Sequence, residues 1–266
     1  MQSLVPLIGS CVALAMVIGY GQYRLTEPLQ FQTDKTLNVA LIQPSIDVVF
    51  RPLSDQERNE RWEQHRELTH SAREKWDDLD LIVWPESSFD SPDLLSDANP
   101  QATAAYFVAN NQQLYRATNG NADGTRSNIP LLSGGSTHDP DNDDVFNSAI
   151  LFSTEGRITD RYYNGHLVHF GEYVPFAQWF PFLGRLTPIG RGLSRGTQFE
   201  TMEVAGAKIA PSVCFETCVP HYIRRQVNRL ADAGNDPDVL INVTNDGWFF
   251  GASCLDLHLA LSLIHI

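Results

Sequence analysis

No side chain between Met1 and Tyr23 carries a charge, and Arg24 is the first that does. The core of this stretch, Leu4 to Tyr20, is predominantly apolar. A run of roughly 17 to 20 apolar residues is just long enough to cross a bilayer as a helix. A helix satisfies its own backbone hydrogen bonds, which hydrocarbon requires. The expected organisation is therefore a transmembrane helix at 1–23, a polar linker at 24–36 and a folded domain from residue 37 to 266. A signal peptide would have a basic start and a shorter apolar core, and neither is present. A buried helix of a soluble domain is the remaining alternative. Arg24 alone carries almost no orientation signal.

The rest of the chain is long enough for one sizeable core: 266 residues in all, 42% hydrophobic. Its net charge of −13 argues against nucleic acid as a partner, because phosphate binding needs clustered Lys and Arg. The four cysteines, Cys11, Cys214, Cys218 and Cys254, are scattered. Cys214 and Cys218 form a C-x3-C pair with no second pair, which argues against zinc, and a disulfide framework does not suit so few cysteines in so long a chain. There are three lysines, Lys35, Lys75 and Lys208.

Leu37 to Gln43 reads as a first strand. Ser54 to Trp76 is charged and helical in character, with Ser54 as its N-cap. Asp80 to Trp84 is a short apolar strand ending at Pro85-Glu86. Ala102 to Tyr115 is expected to be a helix and Thr118 to Asn128 a polar loop. Pro130 to Gly134, Val145 to Phe152 and Arg157 to Tyr163 read as successive strands, with a turn at Asp139 to Asp144. An irregular region rich in Gly, Pro and aromatics follows, to about Gly196. Then come strands near Phe199 to Val204, at Lys208 to Val213 and at Val239 to Val243, with a helix from about Glu216 to Leu230. Strands alternate partly with helices and partly with hairpins, which predicts an α/β fold with mixed strand pairing.

Within this frame a few residues could do chemistry. Cys214 falls at a strand-to-helix turn, where unused backbone N–H groups can lower a thiol pKa and receive an oxyanion. A buried cysteine acting as a small hydrophobe is the competing reading. Glu86 ends an apolar strand beside Trp84 and Pro85, so partial desolvation would raise its pKa toward that of a general base; an ordinary surface glutamate is the alternative. His166, His169 and Glu172 would need a helix to converge on a metal, and Gly165 and Gly171 argue against one. Asn242-Val-Thr244 matches a glycosylation sequon by chance, inside an apolar strand. Asn245-Asp-Gly-Trp-Phe-Phe250 reads as a turn that places aromatics after that strand.

The order of these segments carries more than any one of them. Val39-Ala-Leu-Ile-Gln43, Leu81-Ile-Val-Trp-Pro-Glu86, Phe146-Asn-Ser-Ala149, His166-Leu-Val-His-Phe-Gly-Glu-Tyr-Val-Pro175, Val213-Cys-Phe-Glu216 and Asn242-Val-Thr-Asn-Asp-Gly-Trp248 together resemble the nitrilase, or carbon–nitrogen hydrolase, superfamily. The phrase Phe170-Gly-Glu-Tyr-Val-Pro175 and an apolar helix ahead of the domain resemble its apolipoprotein N-acyltransferase branch. The resemblance implies an α-β-β-α sandwich preceded by one transmembrane helix. It implies Cys214 as nucleophile and Glu86 as general base, with Glu172 and Glu216 as accessory carboxylates and Asn147, Tyr173, Phe215 and Trp248 lining the site. It implies no cofactor and no metal. A phospholipid would be the acyl donor and the diacylglyceryl-cysteine of an apolipoprotein the acceptor. The setting would be the bacterial inner membrane, with the domain on the periplasmic side. A membrane-tethered amidohydrolase and a silent binding module are the alternatives.

The chain departs from the family pattern at one position. The family phrase Tyr-x-Lys-x-His-Leu-Val is matched by Tyr162-Tyr-Asn-Gly-His-Leu-Val168, so Asn164 stands where a lysine is expected. Asparagine can donate a hydrogen bond but brings no charge to a thiolate or oxyanion, which predicts weak or absent turnover. The resemblance ends at Asp256-Leu-His-Leu-Ala260 and implies family sequence beyond both ends, so the chain reads as a C-terminally incomplete fragment.

Overall fold

A computed structural model provides the structure of the chain and describes residues 5–26, 36–46, 49, 51, 53–90, 129–139, 142–154, 157–169, 171–174, 192–249 and 251–263. The expected helix at Ala102 to Tyr115 and loop at Thr118 to Asn128 lie outside the described residues, as does most of the irregular region before Gly196. The chain forms two compact units, Met1–Thr36 and Leu37–Ile266.

In the first unit, helix α1 runs Val5–Thr26, three residues beyond the expected end, and none of its residues is buried. Its 22 residues span about 33 Å at 1.5 Å per residue. It is long and apolar enough to cross a membrane.

The second unit is built on two sheets. The first has five strands in the order β1 (Val39–Leu41), β2 (Leu81–Asp90), β3 (Leu131–Asp139), β4 (Asp144–Phe152) and β5 (Ile158–Tyr163). Strands β1 and β2 pair in parallel across helix α2 (Asp55–Lys75), β2 and β3 are also parallel, and β3 to β5 form an antiparallel meander. The second sheet has β6 (Met202–Val204), β7 (Ala207–Val213) and β8 (Val239–Val243). A tight turn at Ala205-Gly206, both with positive φ, joins β6 to β7. Helix α3 (Pro220–Asp232) connects β7 to its parallel neighbour β8. Helix α4 (Cys254–Leu263) closes the described chain.

Local chemistry explains these elements. Ser54 caps α2 in a capping box: its hydroxyl accepts from the Glu57 N–H at 3.2 Å, and the Glu57 carboxylate accepts from the Ser54 N–H at 2.9 Å. Such a cap contributes about 1 kcal/mol. His65, Thr69, Ala72 and Arg73 repeat at helical spacing and form the buried face of α2. Side chains alternate along β2: Ile82 and Trp84 join Ala72 of α2 in one core cluster, while Leu81 and Val83 face the second sheet. The same parity separates Ile150 and Phe152 from Ala149 and Leu151 on β4. On the far side, Gln226 of α3 donates to the Pro211 carbonyl of β7 at 2.7 Å. The layers are thus α2, five-stranded sheet, three-stranded sheet and α3, the expected α-β-β-α sandwich.

Two expected boundaries are corrected. Strand β2 does not stop at Pro85-Glu86 but continues to Asp90, through a register shift between Trp84 and Phe89. The helix expected from Glu216 begins only at Pro220, because Cys214–Cys218 first makes a 3-10 turn; proline is at home in a first helical turn, where its missing N–H has no partner to lose.

The shift in β2 places Glu86. Strict alternation would send Glu86 to the α2 side with Ile82 and Trp84; the irregularity turns it between the sheets instead. Ser87 takes a positive φ of 58° there. The Ser88 hydroxyl lies 2.8 Å from the Pro85 carbonyl and 2.9 Å from Nε2 of the buried His65. Gly134 of β3 permits the close approach. A Cβ at that position would lie 2.5 Å from Glu86 Cα and 2.9 Å from the Pro85 carbonyl oxygen. Gly134→Ala is therefore expected to destabilise the domain by about 1–3 kcal/mol, read as a lowered urea midpoint. An unchanged midpoint would mean that β2 gives way there without cost.

Candidate active site

Glu86 lies at the centre of a polar cluster between the sheet ends and is 5% exposed. Its Oε1 accepts from Asn147 Nδ2 at 2.6 Å and its Oε2 from the Asn245 backbone N–H at 2.9 Å. Asn147 is presented by β4 and also donates to Glu172 Oε1 at 3.0 Å, so one amide bridges two carboxylates. The second oxygen of Glu172 accepts from the Val168 N–H at 2.8 Å. Asn164 follows β5 directly and extends its ladder: its N–H donates to the Asn147 carbonyl at 2.8 Å.

The Asn164 side chain is 1% exposed. Its Oδ1 accepts from the His166 N–H at 2.9 Å, and its Nδ2 reaches Glu172 only at 3.4 and 3.5 Å. Thus the residue at the expected lysine position sits against the carboxylates without neutralising them. Lys75 lies over the Trp76 ring, and Lys208 donates to the Gly234 carbonyl, both elsewhere in the fold; Lys35 lies outside the described residues.

Cys214 comes to this cluster from the end of β7. It holds a φ of +49°, a left-handed conformation that is costly for a residue with a Cβ and is typical of sites where backbone strain orients a reactive group. Glu86, Glu172 and Thr244 set the electrostatics of the half-buried thiol. Burial pushes the thiol pKa up, and the negative charges of Glu86 and Glu172 push it further, against a smaller opposing effect of Thr244. Glu86 is raised as well, chiefly by burial and also by the charge of Glu172, while Asn147 and Asn245 pull it down. A raised carboxylate beside a raised thiol describes a pair that rests with the thiol protonated.

Glu216 is brought near this cluster but not into it. It is fully buried and accepts from the Tyr162 hydroxyl, from the Gly165 N–H at 2.7 Å and from the Val213 N–H at 2.8 Å. It therefore ties the end of β7 to the segment after β5. Burial raises its pKa from an ordinary 4.5 to about 7, despite these donors. Because the folded value lies above the unfolded one, the stability contributed by this group is fully present below about 4.5 and is lost as pH rises through about 7. Glu216→Gln is expected to flatten that part of the urea-midpoint profile against pH; an unaltered slope would contradict the assignment.

Phe215 packs with Val219, Tyr222 and Ile223 at the start of α3. The Tyr173 ring lies 5.2 Å from that of His169. The side chain of Trp248 lies outside the described residues. Among the described residues, no group of three His, Cys, Asp or Glu side chains is placed to hold a metal.

A second polar layer lies behind Cys214 and was not singled out by the sequence reading. Asn242, read there only as a chance sequon, donates to the Cys214 carbonyl at 3.3 Å. His258 of α4 joins Asp246 to Thr217. The sequence signal for it is only a histidine in an apolar helix.

A two-sheet α/β sandwich presenting a cysteine at a strained strand end, against a buried glutamate, defines a nitrilase-like protein. The sequence profile of the carbon–nitrogen hydrolase family matches residues 38–263, and the chain belongs to that family. It is 30% identical over 251 residues to the apolipoprotein N-acyltransferase of Sinorhizobium medicae, covering 91% of this chain and 43% of that protein. It is 31% identical over 228 residues to the protein of the same name from Vibrio vulnificus, covering 82% and 39%. The chain thus spans about two fifths of these relatives. Among solved structures, the carbon–nitrogen hydrolase of Helicobacter pylori superposes with a TM-score of 0.53 at 15% identity, covering 86% of this chain and 68% of that one. Nit3 of Saccharomyces cerevisiae gives 0.50 at 17% identity, covering 81% and 67%.

Proposed function

We propose that this domain transfers an acyl chain through a thioester on Cys214. The single observation behind the reading is Cys214 at a strand end that holds it in a left-handed conformation, with buried Glu86 acting on its thiol. The relatives named apolipoprotein N-acyltransferase support the choice of donor and acceptor.

In the first half-reaction, Glu86 takes the thiol proton as sulfur attacks the carbonyl carbon of a phospholipid acyl ester. The tetrahedral intermediate collapses, the ester C–O bond breaks, and the departing alkoxide receives the proton from Glu86 as lysophospholipid. In the second, the α-amino group of a lipoprotein's diacylglyceryl-cysteine attacks the thioester. Glu86 accepts a proton from the nitrogen, and the thiolate leaves and is reprotonated, yielding an amide. Two modest barriers replace one high one. Asn147 keeps Glu86 and Glu172 together, Glu172 fixes the loop at Val168, and Glu216 braces the cysteine strand. Tyr173, Phe215 and Trp248 would border the acyl and acceptor paths. Helix α1 would hold the domain at the bacterial inner membrane, on its periplasmic side, where both substrates are lipid-anchored.

The test is incubation of the chain, in detergent, with a phospholipid bearing a labelled acyl chain. Hydroxylamine-labile label on Cys214, absent from Cys214→Ala, is the expected result. Label-free protein would favour a silent binding module, and release of ammonia from small amides without lipid would favour an amidohydrolase.

A further inference from the structure

Cys214 is held from behind by a network that centres on His258, a side chain only 3% exposed. His258 Nδ1 lies 2.8 Å from Asp246 Oδ1, and its Nε2 lies 3.0 Å from Thr217 Oγ1. Both partners lead back to the cysteine. Thr217 Oγ1 lies 3.5 Å from the Cys214 carbonyl oxygen, beside Asn242 Nδ2. The Thr244 hydroxyl donates to Asp246 Oδ1 at 2.9 Å and acts to lower the Cys214 thiol pKa against burial. The His258–Asp246 pair thus reaches the backbone of Cys214 through the Thr217 hydroxyl.

The proton inventory makes the network two-state. Thr217 Oγ1 accepts from Asn242 at 3.3 Å and has one proton to give; the single proton of Ser262, 3.0 Å away, is shared with the His258 carbonyl at 2.8 Å. When His258 is neutral with Nδ1–H on Asp246, its Nε2 is an acceptor and takes the Thr217 proton. When His258 is charged, Nε2–H donates, and the Thr217 proton turns to the Cys214 carbonyl.

We propose that His258, held by Asp246, is a positioning residue for Cys214, and that its charged form favours the thiolate and sets the Thr217 hydroxyl toward the Cys214 carbonyl. This rests on reading Cys214 as the nucleophile. It answers a need of this chain: Glu86 and Glu172 face the thiol, and Asn164 offers no charge. Among the described residues, the groups that face His258 include Asp246 and Thr217, with Ser262 on its own helix; the Cys214 backbone and the Glu86 charge also act on its pKa. The hydrogen bond to Asp246 raises the His258 pKa, against burial, and the Cys214 carbonyl and Glu86 act in the same direction. Asp246 is held below its ordinary value: burial opposes ionisation but is outweighed by the hydrogen bonds from His258 and Thr244. The cation is present below the His258 pKa, which lies above the ordinary 6.5, and is lost as pH rises through it.

The experiment is alkylation of the full chain by iodoacetamide over a pH series, with modification of Cys214 resolved from the other cysteines by peptide mass spectrometry. The wild type is expected to show two steps, a first one from the thiolate–imidazolium pair and a second from the unaided thiol. His258→Gln should show the second step alone and react roughly 10-fold more slowly at neutral pH, the effect of losing one nearby opposite charge. Asp246→Asn, which keeps size and hydrogen bonding, should shrink the first step by making His258 less basic; a merely structural role for the pair would not move the profile in this way. A one-step wild-type profile, or identical profiles for wild type and either variant, overturns the proposal, and the wild-type profile decides even if a variant does not fold. Glu86→Gln, run in parallel, separates the two claims. If it alone alters Cys214 reactivity, the nucleophile reading stands and the His258 proposal falls. If no variant alters it, the nucleophile reading itself has failed.

Discussion

Glu86→Gln is expected to slow acyl-enzyme formation on Cys214 by about 10³-fold, the scale set by removing a positioned general base. The effect is large because the resting pair holds its proton on sulfur. Burial and the charges of Glu86 and Glu172 all raise the thiol, so almost no thiolate exists until a base removes the proton during attack. Glutamine cannot do so. It also cannot match the two donors that Glu86 accepts, Asn147 Nδ2 at 2.6 Å and the Asn245 N–H at 2.9 Å. Its single oxygen serves one of them and its NH₂ confronts the other, which costs about 1–3 kcal/mol of stability for a buried group left unpaired. The measurement is single-turnover labelling of Cys214 by acyl donor, with a urea midpoint taken on the same preparation. A labelling rate within a few-fold of wild type in folded protein would remove Glu86 from the mechanism.

Asn164→Lys is expected to act in the opposite direction, accelerating acyl-enzyme formation by about 10²-fold, the usual worth of one preorganised group at a developing charge. The position is prepared for a cation. It is buried and faces Glu172, with Glu86 one amide beyond, and the present Nδ2 contacts of 3.4 and 3.5 Å are too long to offset two negative charges. A lysine ammonium there would lose hydration but gain carboxylate partners, and it would forfeit the 2.9 Å hydrogen bond from the His166 N–H to Asn164 Oδ1, worth about 1 kcal/mol. The expected signature is therefore faster labelling with a small loss of stability. Equal rates for the two proteins would show that the missing charge does not limit the chemistry, and would direct attention to the Asp246–His258 pair as its source.

Some of this was legible without coordinates because it is written in local patterns. The Ser54–Glu57 capping box and the apolar run Leu81 to Trp84 specify a helix start and a strand through spacing alone. The side on which Glu86 emerges was not legible: alternation from Trp84 points the wrong way, and only the register shift, allowed by Gly134, reverses it. The helix expected at Glu216 starts later, since the chain first makes the 3-10 turn Cys214–Cys218 and the helix opens only at Pro220. His258 and Asp246 had no readable signal, because a single histidine in an apolar helix looks the same whether it is packed or paired.

By itself, the sequence determined the uncharged helix at the N-terminus, the alternation of strands and helices, and the order of segments that marks the carbon–nitrogen hydrolase family. These follow from periodicity and short-range chemistry, which act over a few residues. Only the tertiary structure decided that Glu86 meets Asn147, 61 residues away, and Asn245, 159 residues away. It also decided that Asn164 lies against Glu172 and that His258 stands behind Cys214. Such contacts depend on how two sheets are stacked and where one strand slips register, and no local pattern along the chain encodes that.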